Sequence, residues 1–497
     1  MATGEGSITH SFAKDANEWG TRLYWTETDT DAVGRVTKNI LPDGNQTTYS
    51  YSGHTVTITD PAGHATKQDL DAQGRIGTLY EPDVLMGNTL TVDTTYSYNV
   101  RDEITAVNQG TQTRTFAYDD LGRATSVTLP ETGQVQYTYN AFDQVALRTD
   151  ARGVVTTYSY DTLNRPNSIT YNVGATGVPA TPTVTYTFGT NPALFNKGRL
   201  ITLATSGVET DTFTWDLLGR ATSVSKNITG AQTYNIGYGY NLAGEVTSIT
   251  YPSNRVVTQT YDAIGRSSQI SDGTPRTYAN QFSYNPAQQL LGYTAGNSVQ
   301  GIFGYSDPRL QIGSLSYKKG VNTLFSLSYG YAQPNGANNG QITAITDNIT
   351  AANGLTFTYD AMGRLINGKT ANTTSPNTWD ITWGYDRYAN RKSQTENAGT
   401  LPVTNANLTF NNNNQITGGF AYDASGNMTN DGITTNYVYN AENRFVKLGS
   451  TLANTYDGAG LRIEKVTGGS TTVYIFSGTK VIAESPPFDD VCMRQRC

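Results

Sequence analysis

The chain of 497 residues holds three histidines, His10, His54 and His64. His54 and His64 stand ten positions apart with Asp60 between them. Two imidazoles and a carboxylate could ligate a metal or relay a proton. The Asp60-Pro61-Ala62-Gly63 run around them reads instead as a turn. Carboxylates recur along the whole chain, so paired acids are unavoidable. A glycosidase-type pair needs two acids set apart by spacing and by split acidities, and nothing singles out one pair. There is no Gly-x-Ser-x-Gly elbow, no phosphate-binding loop and no Cys-x-x-Cys. No catalytic residue, metal ligand or cofactor is assigned, and catalysis is not expected.

The residues with the strongest spacing are of another kind. An aromatic is followed by Asp or Asn, two variable residues, Gly or Asn, then Arg. Full copies are Tyr118-Asp119-x-x-Gly122-Arg123, Tyr160-Asp161-x-x-Asn164-Arg165, Trp215-Asp216-x-x-Gly219-Arg220, Tyr261-Asp262-x-x-Gly265-Arg266 and Tyr359-Asp360-x-x-Gly363-Arg364. Partial copies begin at Tyr139, Tyr240, Tyr284, Tyr422 and Tyr439, and Asp31–Arg35 and Asp71–Arg75 keep the second half without the aromatic. Where copies are dense their starts fall about 20 residues apart, the mark of a repeat architecture.

Each position has a structural reading. A second aromatic stands two residues before the first, as in Phe116/Tyr118 and Tyr158/Tyr160. Residues two apart share one face of a strand. The Asp or Asn opens a turn by bonding its own backbone, and Gly or Asn takes the left-handed position. Arg starts the return strand and could lie over a tyrosine ring or pair with the repeat Asp. Each unit is therefore one β-hairpin, and the whole chain predicts on the order of 40 to 50 strands. Sheets beyond about ten strands curl, split or close. The long gaps between Tyr160 and Trp215 and between Tyr284 and Tyr359 predict divergent hairpins or loops, such as 172–182 and 333–340.

Composition agrees with an all-β reading. Charged residues are only 15%, while Gly (50) and Tyr (33) supply turns and strands. The net charge of −7 and the lack of a Lys/Arg stripe exclude a nucleic-acid partner. No apolar run reaches the roughly 18 residues of a membrane-spanning helix. No signal peptide is visible at the start. Cys492 and Cys497 both lie in the last six residues, so the body has no disulfide framework.

The Tyr-Asp-x-x-Gly-Arg units, Asp60-Pro-Ala-Gly-His64 and the segment Tyr474-Ile-Phe-Ser-Gly-Thr-Lys-Val-Ile-Ala-Glu484 resemble bacterial Rhs/YD-repeat proteins over roughly residues 20 to 484. That family includes Rhs toxins, shell components of insecticidal toxin complexes, wall-associated proteins and the YD shell of teneurins. The resemblance implies a long spiralling antiparallel sheet that curls into a hollow shell, or an open part of one. It implies a secreted or cell-surface scaffold that encloses or presents a C-terminal toxin or effector polypeptide. The alternative is an extracellular surface that binds a glycan or protein, with tyrosine rings stacking on sugars. The aspartyl self-cleavage string of toxin members, Asp-Pro-x-Gly-Leu, is absent. Asp60-Pro61 is followed by Gly63-His64, and Asp307-Pro308 lacks the Gly. The expected organisation is a lead-in over 1–20, one repeat array over 21–484 and a non-repeat tail over 485–497.

Overall fold

The computed structural model describes residues 8–12, 25–273, 276–306, 308–372, 378–399, 406–485 and 489–490. Most of the lead-in, Asp307 and both cysteines lie outside the described residues. The described residues form 43 strands and three single-turn 3-10 helices, with no α-helix among them. None of them forms a helix long and apolar enough to cross a membrane.

Successive strands pair with their chain neighbours in antiparallel register, as in Gln112–Tyr118 with Ala124–Leu129 and Gly133–Tyr139 with Val145–Thr149. One sheet takes in 34 strands and is an open ladder, with smaller sheets of two and seven strands towards the C-terminus. The register slips at the aromatic of each unit. Ala117 faces Ser126 but Tyr118 faces Ala124, and Ser159 faces Ser168 but Tyr160 faces Pro166. The same slip occurs at Trp215, Tyr261 and Tyr359. One extra residue on the return strand is a β-bulge, which bends the strand and adds right-handed twist. The repeat thus builds a local twist into every hairpin.

The predicted divergent stretches are ordered. Strands Val184–Phe188 and Leu200–Thr205 fill the first gap, with strand-free connections at 173–183 and 189–199. Strands Leu290–Ala295, Val299–Tyr305, Ile312–Lys319 and Asn322–Gly330 fill most of the second, followed by a connection over 331–343.

The chain divides into two compact units. The first comprises Met1–Thr113 and Ala279–Asn414. Here Phe282, Tyr293, Phe303, Tyr317 and Phe325 form a line of rings across successive strands, with centroids 5.7 to 6.5 Å apart. Such cross-strand pairs each add about 0.2–1 kcal/mol.

The second unit comprises Arg114–Tyr278 and Gln415–Cys497. It holds the principal apolar core. Ile228, Tyr234, Ile236, Tyr251 and Val257 pack with Ile463, Val473, Ile475, Ile482 and Ala483 of the seven-stranded sheet. Fully burying one such aliphatic side chain contributes roughly 1.5–3 kcal/mol. Most other strand residues are only half-buried, so much of the fold depends on polar fastening at the turns.

Candidate functional site

The repeat residues converge on one construction at every turn. Asp119 Oδ1 accepts hydrogen bonds from the backbone N–H groups of Leu121 and Arg123, both at 3.0 Å. Its Oδ2 accepts from Arg123 Nε at 2.8 Å. Gly122 holds φ = 80°, a conformation costly for any residue with a Cβ. Asp161–Arg165, Asp216–Arg220, Asp262–Arg266 and Asp360–Arg364 repeat the Nε–carboxylate bond at 2.6 to 2.7 Å. Asn164 takes the glycine position at φ = 61°, and Gly219, Gly265 and Gly363 lie at 77 to 87°. Asp31–Arg35 and Asp71–Arg75 make the same turn without an aromatic.

Four of these arginines also reach forward to the next unit. Arg123 lies 4.6 Å from the ring centroid of Tyr139, Arg165 4.0 Å from Phe188, Arg220 4.7 Å from Tyr240 and Arg364 5.0 Å from Tyr385. Four of the aromatics reach back. The hydroxyls of Tyr160, Tyr261 and Tyr359 donate to the carbonyls of Val145, Val246 and Ile342 at 2.7 to 2.8 Å. Trp215 Nε1 donates to Leu200 O at 2.9 Å. The hydrogen bonds at Asp119 and Asp161, led by that from the arginine side chain, hold these carboxyls below the usual carboxylate range.

The histidines are not brought together. His54 and His64 flank opposite ends of the strand Thr55–Thr59. His64 Nδ1 lies 3.3 Å from Asp60 Oδ2, and Asp60 Oδ1 accepts from the His64 backbone N–H. Asp60, His64 and Glu81 share the wall of a cavity of about 390 Å³ in the first unit. Burial raises the Glu81 carboxyl, against the pull of the Arg387 and Arg364 charges. Among the described residues no group of three or more His, Cys, Asp or Glu is arranged to hold a metal.

The second unit contains a buried charge cluster that sequence reading missed. Lys226 Nζ lies 2.7 Å from Asp211 Oδ2 and 3.3 Å from Glu209 Oε1. All three side chains are at least nine-tenths buried. Burial raises Glu209 to about 7, opposed by Lys226 and assisted by Asp211 and Asp457. Burial also raises Asp457. Asp457 belongs to a degenerate copy, Tyr456-Asp457-x-x-Gly460-Leu461, in which leucine replaces the arginine. Two sequence signals were available: that copy, and the pair Glu209 and Asp211 on one strand face in a chain poor in charge.

A cavity of about 350 Å³ lies beside this cluster, lined by Tyr158, Tyr171, Thr205, Glu442, Arg444 and Asp457 among others. Arg148 donates to Glu442, one of the cavity's lining residues, at 3.0 Å. Arg152, itself buried, bonds Asp150 through Nε and Nη2 and donates to the carbonyls of Asn440 and Ala441. These contacts fasten the later turns 423–427, 440–444 and 457–461 to the earlier part of the same unit. The arrangement is suited to holding polypeptide layers together.

The RHS Repeat family matches residues 118–154, 139–176 and 240–277. No curated protein matches the chain in sequence. Among solved structures, the chain resembles the TcdB2-TccC3 crystal structure with a TM-score of 0.78 at 16% identity, covering 93% of this chain and 28% of that one. It resembles the Photorhabdus luminescens Tc holotoxin pore carrying TccC3-D651A with a TM-score of 0.77 at 15% identity, covering 97% and 30%. The chain thus spans less than a third of the length of these solved chains, and at such identity the likeness is one of fold. The chain carries RHS Repeat units over residues 118–176 and 240–277, and its repeated turn and fold are similar to those of Rhs/YD-repeat shell proteins.

Proposed function

We propose that the chain is a stretch of wall in a YD-repeat shell that encloses or presents a toxin or effector polypeptide in a secreted or surface-displayed bacterial protein. The observation that carries this reading is the repeated fastening of hairpin to hairpin by Asp, Arg and Tyr, which commits the most regular polar residues to holding a sheet. The RHS Repeat matches and the fold shared with TcdB2-TccC3 support it. The wall acts physically, by separating a polypeptide from its surroundings, and the repeat residues perform no reaction.

The test is protease protection. An unfolded marker polypeptide is fused to the C-terminus and digested with a nonspecific protease. The reading expects slower digestion than for the same marker on an unrelated carrier. Digestion at the carrier's rate, together with selective binding on a glycan array, would favour the adhesive alternative.

A further inference from the structure

A lysine and an aspartate side chain condense to an amide, with loss of one water, where solvent is excluded and the amine is held against the carboxyl group. The second unit holds such a pair. Glu209 and Asp211 stand two apart on the strand Glu209–Trp215 and share one face. Asp211 is directly opposite Lys226 of the strand Ala221–Ile228. Lys226 Nζ lies 2.7 Å from Asp211 Oδ2. The other carboxyl oxygen, Asp211 Oδ1, is buried with no hydrogen-bond partner. A well-satisfied buried ion pair engages both oxygens, and this one leaves the second unengaged.

The surroundings disfavour charge. Ile228 is opposite Glu209 and Tyr234 is opposite Lys226, both 3% exposed and both members of the apolar core. Replacing an ammonium and a carboxylate there by a neutral amide removes two desolvated charges. Burial acts to lower the Lys226 ammonium, but Glu209 and Asp211 outweigh it and raise it on balance. The free amine therefore has to arise inside the cluster, by proton transfer from Nζ. Glu209 Oε1 is 3.3 Å from Nζ, and burial raises its carboxyl to about 7, so it both takes and returns a proton near neutrality. Asp457 is engaged elsewhere, since its Oδ1 accepts the Leu461 N–H of its own turn.

We propose that Lys226 and Asp211 join in an intramolecular isopeptide bond, with Glu209 as the proton relay. Nζ first passes one proton to the Asp211 carboxylate, which gives an amine and a carboxylic acid. The amine lone pair attacks Cγ and forms the C–N bond. The Glu209 carboxylate takes a second proton from Nζ and delivers it to an Asp211 hydroxyl. The C–O bond breaks, water leaves, and Nζ keeps one hydrogen as the amide N–H. Glu209 ends as it began, and no further reactant is needed. The bond would lock two neighbouring strands together beside the core. It goes beyond the wall function and does not require an enclosed polypeptide.

Intact-mass spectrometry of the denatured full chain tests this. The expected mass is one water below that of the sequence. Trypsin is expected to leave Lys226 uncut and to release a branched peptide joining residues 200–220 to 221–255. A full sequence mass, with cleavage after Lys226, would overturn the proposal. So would a lighter chain in which those peptides separate, because the water was then lost elsewhere. Asp211→Ala is expected to have its full mass. Glu209→Gln keeps the Lys226–Asp211 pair and removes the relay, and circular dichroism checks its fold. In a cell-free synthesis time course its linked fraction is expected to rise about a hundredfold more slowly than in the wild type. Linkage at the wild-type rate would overturn the role of Glu209.

Discussion

The guanidinium of Arg123 lies over the ring of Tyr139, 4.6 Å from its centroid, while its Nε is held by Asp119 of its own turn. Tyr139 in turn donates its hydroxyl to the carbonyl of Ala124, the residue after Arg123. Two successive hairpins are thereby tied by a charge over a ring and by a hydrogen bond between the same neighbours. The pattern recurs at Arg220/Tyr240 and Arg364/Tyr385. It explains why the repeat keeps both ends of its motif: Asp shapes the turn, and Arg and Tyr connect turns.

Removing the hydroxyl alone tests the second tie. Tyr160→Phe keeps the ring and loses the 2.8 Å bond to Val145 O. The expected cost is about 1 kcal/mol, read from urea denaturation. A change indistinguishable from zero would mean that water replaces the bond without loss.

Glycines divide by surroundings. Gly426 at φ = 80° has Glu131 O where its Cβ would stand, while Gly468 at φ = 58° faces open space. Gly468→Ala should cost only the left-handed strain, about 1–2 kcal/mol. Gly426→Ala should cost that plus a backbone displacement, about 3 kcal/mol or more in all. Equal losses in the two variants would contradict the close approach of these turns.

The ion pairs differ by burial. Arg152 and Asp150 side chains are 5% and 6% exposed, whereas Arg35 is 48% exposed. Arg152→Ala leaves a buried carboxylate without its partner and should cost about 3–5 kcal/mol. Arg35→Ala should cost under about 1 kcal/mol. Thermal or chemical unfolding of the two variants gives the comparison directly.

The pH response has two opposed parts. Glu209 is raised from the ordinary glutamate range to about 7. Its contribution is therefore full below an unfolded value of about 4.3 and is lost as pH rises through about 7. Asp457 shifts in the same direction. The repeat aspartates Asp119, Asp161, Asp216 and Asp262 are lowered. Their contribution is present above about pH 3.9 and is lost as pH falls through their folded values. The melting temperature should thus fall between pH 5.5 and 8, about one unit or more either side of Glu209's midpoint. Glu209→Gln should flatten that slope and leave the acid limb unchanged. A slope unaffected by the substitution would place the titration elsewhere.

The hairpin was legible from the sequence because each of its features is local. Asp119, Gly122 and Arg123 act within five residues, and turn chemistry names their roles directly. The bulge at Tyr118 was not legible, because it depends on which residue of the return strand pairs across. The ring over which Arg123 lies was also open, since several tyrosines stand at similar distances along the chain. Asp457 and Lys226 were missed for a different reason. Their partnership crosses more than two hundred residues, and the leucine at 461 hides the repeat copy that places Asp457. The turn read at Asp60–His64 is present, and the short strand 55–59 sets His54 and His64 at its opposite ends.

The central claim is that the repeat residues fasten hairpins to one another, and a double-mutant cycle tests it most directly. Arg123→Met, Tyr139→Leu and the double variant are compared by equilibrium denaturation. The account predicts a coupling of about 0.5–1 kcal/mol between the two positions. Additivity within about 0.3 kcal/mol would contradict it.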